Sequence, residues 1–568
     1  MFYSFLFLIT MGDVNHGYGS SEKIMLPMRL TLISALLTTL IILFPLILFK
    51  WKPHGKTFKQ TPALPPGPTP WPIVGNLPEM WRNKPAFRWI HGLLESLNTE
   101  IACIRLGGVH VIPVTSPELA REFLKKHDIV FASRPLFLSN KYATRGFKST
   151  ALVPWGDQWK KMKKLVASDI INSKTTRWLL NKRTEEADNL VRFIYNQCKN
   201  AAIDGLTDDQ SISGSVVDVR LVARHYCGNV IRKMIFNRRY FGKGKKDGGP
   251  GVEEEQHIES LFTILVHLNA FALSDYLPCL TALDLDGHGK IVSEAMKIVT
   301  SYEDPVVDER LRQWREGEKT EAEDLLDAFI LAKDSNGKAA FSAEEIKAQI
   351  TELMLATVDN PSNCIEWTLA EMLNQPELLQ KAVEEIDRVV GKKRWVEESD
   401  IPQLNYVKAC AREGFRLHPI APFNVPHVSM QDATVAGYFI PKGSHVILSR
   451  YGLGRNPRVW KEPLRFKPDR HLKKKEEGSS MADYQEVELA EHELRFISFS
   501  TGRRGCMGIA LGSAMTVMLL ARLLQGFSWS LPPNQEEIDL SETMNELFMA
   551  KPLHAHANPR LAASLYPA

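Results

Sequence analysis

Twenty consecutive uncharged residues, Leu30 to Phe49 (LTLISALLTTLIILFPLILF), stand apart from a chain whose apolar positions are otherwise periodic. At 1.5 Å rise per residue the run spans about 30 Å, the thickness of a hydrocarbon core. Pro45 is tolerable near one end of such a helix. The run is longer than a signal-peptide core and lacks a clean small-residue cleavage site, so it reads as a retained anchor. Lys50, Lys52, Lys56 and Lys59 follow it, against Lys23 and Arg29 before it. That bias places residues 1–29 on the lumenal side and the long C-terminal part in the cytoplasm. The one Asn-x-Ser/Thr match, Asn360-Pro361-Ser362, is disqualified as a glycosylation acceptor by its proline. Next comes LPPGPTPWP (Leu64–Pro72), where proline fixes φ and forbids a continuing helix, so residues 50–72 read as a basic, stiff hinge.

Beyond the hinge, two short β-like runs (Ile101–Leu106 and Val109–Val114) precede long helical patterns. Gly242–Gln256 and Lys473–Gln485 are too polar for burial and read as surface loops. Neither has the composition of an interdomain linker, so residues 73–568 are expected to form one body, mainly α with a minor β region. One helix is legible in detail. Ser342 and Glu345 form an S-x-x-E capping box, and Ile346, Ile350, Leu353, Met354 and Thr357 repeat with helical spacing up to Asn374-Gln375-Pro376. Pro361 cannot donate to the Thr357 carbonyl, so the helix is expected to open there beside Asp359 and Asn360.

Composition narrows the class. The 568 residues are 44% hydrophobic and 24% charged, which excludes a mainly disordered or low-complexity chain. A net charge of +4 advertises no nucleic-acid footprint. The seven cysteines contain no CxxC pair, which argues against a disulfide scaffold and a structural zinc site.

The most specific string is Phe499-Ser-Thr-Gly502-Arg-Arg504-Gly-Cys506-Met-Gly508. Its glycines allow backbone to approach a large flat partner. Backbone N–H groups and arginine charge beside Cys506 favour thiolate, and a thiolate without companions suits a metal whose other positions are filled, as iron is in haem. A lone cysteine is otherwise usually a small buried residue.

This string resembles the haem-binding loop of the cytochrome P-450 monooxygenases. That family's Glu-x-x-Arg helix is matched by Glu413-Gly-Phe-Arg416, its Phe-x-Pro-Glu-Arg segment by Phe466-Lys-Pro-Asp-Arg470, and its Trp-x-x-x-Arg helix by Trp159-Lys-Lys-Met-Lys163. The last has Lys for Arg, which keeps the charge and loses the bidentate fork. The resemblance implies the haem-thiolate fold behind a single transmembrane helix, in the endoplasmic reticulum membrane. It implies haem b with Cys506 as axial ligand, and Phe499, Gly502 and Gly508 shaping the loop. Arg504, Trp159 and Lys163 would serve the haem propionates. Glu413, Arg416 and Arg470 would form a structural network. O₂ and NADPH-derived electrons, delivered by a reductase that the lysines of 160–164 would help steer, complete the set.

A departure points to a subfamily. Where most members carry a proton-relaying threonine, this chain reads Thr357-Val358-Asp359-Asn360-Pro361. Asn-Pro here resembles the plant amino-acid N-monooxygenases that make aldoximes, and the strings around His418–His427 and Arg224–Lys233 agree. The resemblance implies two N-hydroxylations of an amino acid, then loss of CO₂ and water. Thr357, Asp359, Asn360 and Pro361 would be the catalytic segment. A zwitterion entering an apolar pocket needs charge-assisted partners; the candidates are Arg145, Asn424 and the freed Thr357 carbonyl. Phe423 and Phe548 could wall an aromatic pocket, with phenylalanine the first expected substrate and tyrosine the second. A carbon-hydroxylating enzyme of the same superfamily and a non-catalytic haem binder are the competing classes.

Overall fold

The segment with the clearest helical period becomes the longest described helix. This computed structural model describes residues 62–203, 214–268, 270–474 and 484–567. The expected anchor at 30–49, residues 1–29, the basic part of the hinge and residues 475–483 of the second polar stretch lie outside them. Among the described residues, the helices of nine residues or more are α1 (Ala86–Ser96), α2 (Asp157–Leu165), α3 (Leu180–Ile203), α4 (Val219–Phe236), α5 (Val252–His267), α6 (His288–Glu316), α7 (Ala343–Leu373), α8 (Pro376–Val389), α9 (Asn405–Leu417) and α10 (Ile509–Gly526).

Three small sheets accompany them. In the first, β1 (Ile104–Leu106) and β2 (Val109–Val114) form a hairpin across Gly107-Gly108. β2 pairs in parallel with β7 (His445–Leu448), which pairs antiparallel with β4 (His427–Val428). The second has the order β3 (Ser215–Asp218), β9 (His554–Pro559), β8 (Phe527–Ser530), all antiparallel. The third is the hairpin of β5 (Ala433–Val435) and β6 (Tyr438–Ile440). The second β-like run of the sequence coincides with β2; the first contracts to Ile104–Leu106, with Ile101 making only an isolated bridge to Val114.

Residues 64–72 have no helix, as their prolines require, yet they are fastened to the body. Cys103 N–H donates to the Pro66 carbonyl at 2.8 Å, and a Cβ on Gly67 would lie 1.9 Å from the Cys103 oxygen.

α7 begins at the capping box: Ser342 Oγ accepts from Glu345 N–H at 3.3 Å, and the Glu345 carboxylate accepts from Ser342 N–H at 2.8 Å. From Gln349 to Leu373 nearly every residue is buried, with Trp367 wholly enclosed, so this helix crosses the core. The expected opening at Pro361 does not occur. The helix is continuous, and side chains of this stretch bond back to carbonyls one turn earlier: Thr357 Oγ1 to Leu353 (2.7 Å), Asn360 Nδ2 to Ala356 (3.3 Å) and Ser362 Oγ to Val358 (2.7 Å). The stretch Gly242–Gln256 also needs correction, since its last five residues are the first turn of α5. Glu254 there is buried because its carboxylate accepts from the backbone N–H groups of Phe241, Gly242 and Gly251. α10 is apolar and long enough to cross a membrane by composition and length, but Met515 to Gly526 are buried within the body.

Candidate active site

Cys506 sits where a strained loop meets the start of α10. Gly502 has φ +74°, and a Cβ there would lie 2.5 Å from the Leu124 oxygen and 2.8 Å from Asp128 Oδ1, so only glycine fits. Cys506 N–H donates to the Phe499 carbonyl at 2.9 Å, and its Sγ accepts from Gly508 N–H at 3.3 Å. Burial pushes the free thiol up; the Gly508 N–H and the charges of Lys163 and Arg450 oppose it. The surrounding positive charge therefore does not by itself make a thiolate, and a bound metal ion would have to complete that shift. Cys506 is nevertheless open to solvent, as are Ile509 and Ala510 at the start of α10. Facing it, α7 is buried around Asp359 but leaves Ala356 exposed and Thr357 and Asn360 part-exposed. Those three positions share one helix face. Cys506 and that face of α7 thus both keep accessible surface.

Cations gather along one side. Trp159 of α2 is buried, and the Arg504 guanidinium lies 4.3 Å from its ring centroid. Arg504 donates to the carbonyls of Ala132 (2.5 Å) and Thr150 (3.4 Å), while its Nη2 is buried without a partner. Burial pulls its pKa down to about 9, opposed only by Glu352. Arg134 is spent on the carbonyls of Ala151, Val425 and Pro426. His427 Nδ1 donates to the Phe131 carbonyl at 2.8 Å, and burial with the charges of Arg134 and Arg504 holds that ring well below the usual histidine range. Lys163 Nζ donates to the Gly505 carbonyl at 3.4 Å. Sequence reasoning missed Arg134 as a member of this cluster; the signal was an arginine beside apolar residues in Phe131-Ala-Ser-Arg134-Pro. Buried arginines that make no direct salt bridge, with Glu352 the one carboxylate acting on them and one nitrogen left unpartnered, form a receptor for an anionic group.

Behind the thiol, α9 carries a buried ionic network. Arg416 donates to Glu413 from Nε (2.8 Å) and Nη2 (2.7 Å), Arg470 Nε donates at 3.0 Å, and His471 Nε2 at 2.7 Å. His471 was not anticipated from the sequence.

A model of the cytochrome P450 family matches residues 65–557. The chain belongs to the cytochrome P450 family. It is 59% identical over 535 residues to a tryptophan N-monooxygenase of Prunus mume, covering 94% of this chain and 97% of that one. It is 59% identical over 524 residues to a phenylalanine N-monooxygenase of Arabidopsis thaliana (91% and 96%). Against a tyrosine N-monooxygenase of Sorghum bicolor it is 58% identical over 506 residues (89% and 88%). Relatives of 55–56% identity carry the names of valine and isoleucine instead.

The residues around Cys506 in this P450 fit the haem that the family implies. Among the described residues no three His, Cys, Asp or Glu side chains are grouped to hold a bare metal ion, so an iron at Cys506 must bring its remaining ligands with it. The unpartnered Arg504 nitrogen supplies a site for a propionate.

Two expected substrate partners are each partly engaged within the fold of this P450, although Arg145 Nε is left without a partner. Arg145 makes a bidentate ion pair with Asp304 of α6, Nη1 at 3.0 Å and Nη2 at 2.5 Å. Asn424 accepts from Leu448 N–H at 2.7 Å through Oδ1 and fixes the end of β7. Their polarity serves the fold. Phe423 stacks on His91 of α1 (centroids 5.5 Å, planes 3° apart) and meets Phe271 edge-on. Phe548 packs edge-on against Phe262 of α5, whose other neighbour is the Arg224 guanidinium at 3.6 Å. Glu546, two residues from Phe548 in sequence, has its pKa raised to about 7 by burial and the charge of Asp359. Asp359 is buried with Oδ1 unpartnered, and burial raises its pKa to about 7 against the opposing charges of Arg224 and Arg450.

Proposed function

We propose that this P450 is an amino-acid N-monooxygenase forming an aldoxime, with an aromatic amino acid as substrate and phenylalanine as the first to test. Support comes from the relatives: their named amino acids range from aromatic to aliphatic, yet each name is an amino-acid N-monooxygenase. What they share is oxidation at the amine, whatever the side chain. Two successive hydroxylations of the nitrogen, each using one O₂ and two electrons from NADPH, are followed by loss of CO₂ and water.

Haem, when bound, supplies the oxidising chemistry. The chain's own residues hold and shape the site. Cys506 would ligate iron, while Arg504, Trp159 and Arg134, with His427, would hold the propionate edge. Lys163 sits nearer the Cys506 loop and tunes it. Asn360 and Thr357 place polar groups on the accessible face of α7, with Asp359 buried beside them. Asn360 has no readily transferred proton, which separates this site from a carbon-hydroxylating one. Lys160, Lys161 and Lys164 are exposed on α2, and a basic face there steers an acidic reductase. The anchor at 30–49 would hold the enzyme on the endoplasmic reticulum.

The experiment is product analysis in microsomes containing this chain and a reductase. Each of the twenty amino acids is supplied with NADPH and aldoximes are sought by mass. Phenylacetaldoxime from phenylalanine is the expected product. An oxime only from tryptophan or tyrosine keeps the reaction and changes the substrate. An oxime only from an aliphatic amino acid overturns the aromatic assignment, and no oxime despite a normal carbon-monoxide spectrum overturns the function.

A further inference from the structure

Buried cations stand near Cys506 in two places. Arg504, Arg134 and His427 lie in one another's fields. Arg450 stands elsewhere. It opens the short helix Arg450–Gly454 directly after β7, and its Nε is buried without a partner. The charges acting on it are Asp359 of α7 and Cys506. Asp359 Oδ1 is also buried and unpartnered, so neither atom is satisfied by the other. Arg450 keeps part of its surface accessible, Asp359 is almost wholly enclosed, and each has one atom left without a hydrogen-bond partner. In a folded interior such groups are normally paired, and their free valences mark a place for something of complementary charge.

The corner bearing Arg450 is rigid. Arg450 N–H donates to the Pro422 carbonyl at 2.9 Å, and Ser449 Oγ accepts from Gly452 N–H at 2.7 Å. His91 Nε2 lies 2.5 Å from that same oxygen, and the His91 ring stacks on Phe423. A Cβ on Gly452 would lie 2.4 Å from Thr115 Cγ2, so the turn cannot shift easily. A corner braced by the His91 and Phe423 rings therefore carries a cation in the field of Asp359 of α7 and of Cys506.

We propose that Arg450 binds the α-carboxylate of the amino-acid substrate and that Asp359 receives its α-ammonium group. This rests on the amino-acid N-monooxygenase reading above. A zwitterion has one charge of each sign on adjacent groups, and burying it requires a partner for both. The planar guanidinium suits a carboxylate through two parallel N–H donors. With the nitrogen directed to Asp359, the atom to be oxidised lies beside the Ala356–Asn360 stretch of α7. Such a clamp reads only the head group and leaves the side chain to the rest of the pocket.

The test is ligand titration of the full-length, haem-loaded enzyme, followed by the Soret shift. Phenylalanine, 2-phenylethylamine and 3-phenylpropanoate are compared; if the wild type makes oxime only from tryptophan, tryptophan and tryptamine replace the first two. Arg450→Gln is expected to weaken phenylalanine by at least about thirtyfold while 2-phenylethylamine changes by less than about threefold, and Arg450→Lys recovers part of the loss. Asp359→Asn should weaken the amine and the amino acid but not 3-phenylpropanoate. Arg450→Gln binding phenylalanine like the wild type, or losing both ligands equally, overturns the assignment. Loss of haem from both Arg450 variants also overturns it and makes Arg450 a haem residue. Failure of the wild type to yield any oxime refutes the reaction itself, whereas normal wild-type oxime with unaltered Arg450 variants refutes only the clamp.

Discussion

Replacing Glu413 by Gln should cost about 3 kcal/mol of stability near neutral pH, and the structure fixes why. Glu413 has no exposed surface and accepts from Arg416 twice, from Arg470 Nε, from His471 Nε2 and from the Lys467 N–H at 2.9 Å. Burial alone would raise its pKa, but the hydrogen bonds and charges of Arg416 and His471 outweigh that and bring it from 4.5 to about 2. A depression of that size corresponds to about 3 kcal/mol, and removing one partner from a buried ion pair costs about 3–5 kcal/mol by a separate route. Glutamine keeps the volume but offers one acceptor oxygen and turns an NH₂ toward donors, leaving the fully enclosed Arg416 without compensation. Because the folded pKa lies below the unfolded one, this stabilisation is complete above pH 4.5 and is lost as pH falls toward 2. The gap between wild type and Glu413→Gln should therefore narrow by about 1 kcal/mol between pH 6 and pH 3.5. Denaturant unfolding of the detergent-solubilised chain, followed by tryptophan fluorescence, measures both; Trp460, 5.2 Å from the Arg416 guanidinium, is a local reporter. A deficit under about 1 kcal/mol near neutrality, or a gap that does not change with pH, would refute the reasoning. Glu413→Leu combined with Arg416→Met should cost less than the two single changes added together, since no charge is then stranded.

Three further outcomes are expected. Cys506→Ser should lose the carbon-monoxide band of a thiolate-ligated haem; a native-like band would remove Cys506 as the ligand. Gly454→Ala should lower the denaturation midpoint by about 2 kcal/mol of stability, because the new Cβ would stand 2.1 Å from the Arg416 carbonyl oxygen, which is backbone and cannot swing aside; an unchanged midpoint would show that the end of α9 can relax. Asn360→Thr should raise the hydrogen peroxide released per NADPH consumed, whereas unchanged coupling would make the amide incidental.

Local patterns in the chain were enough for several features because their causes are local. The capping box of Ser342 and Glu345 starts α7, and the proline run keeps residues 64–72 out of helix, through bonds between near neighbours. The Cys506 loop was legible because its glycines are demanded by geometry within a few residues. The reading of Pro361 failed for a related reason: the steric rule holds, but the helix on both sides is buried in the core, so the proline is carried without a break. Charge was harder to read. Arg145 and Asn424 had the right chemistry for a substrate anchor, but what a polar side chain does depends on what it meets across the fold. Asp304 is 159 residues from Arg145 in sequence, and Leu448 is 24 from Asn424. Conversely, Arg450 and His471 carry no motif of their own. Only the packing of β7, α7 and α9 around Cys506 decided that one of these side chains is left with an open valence and the other is consumed by Glu413.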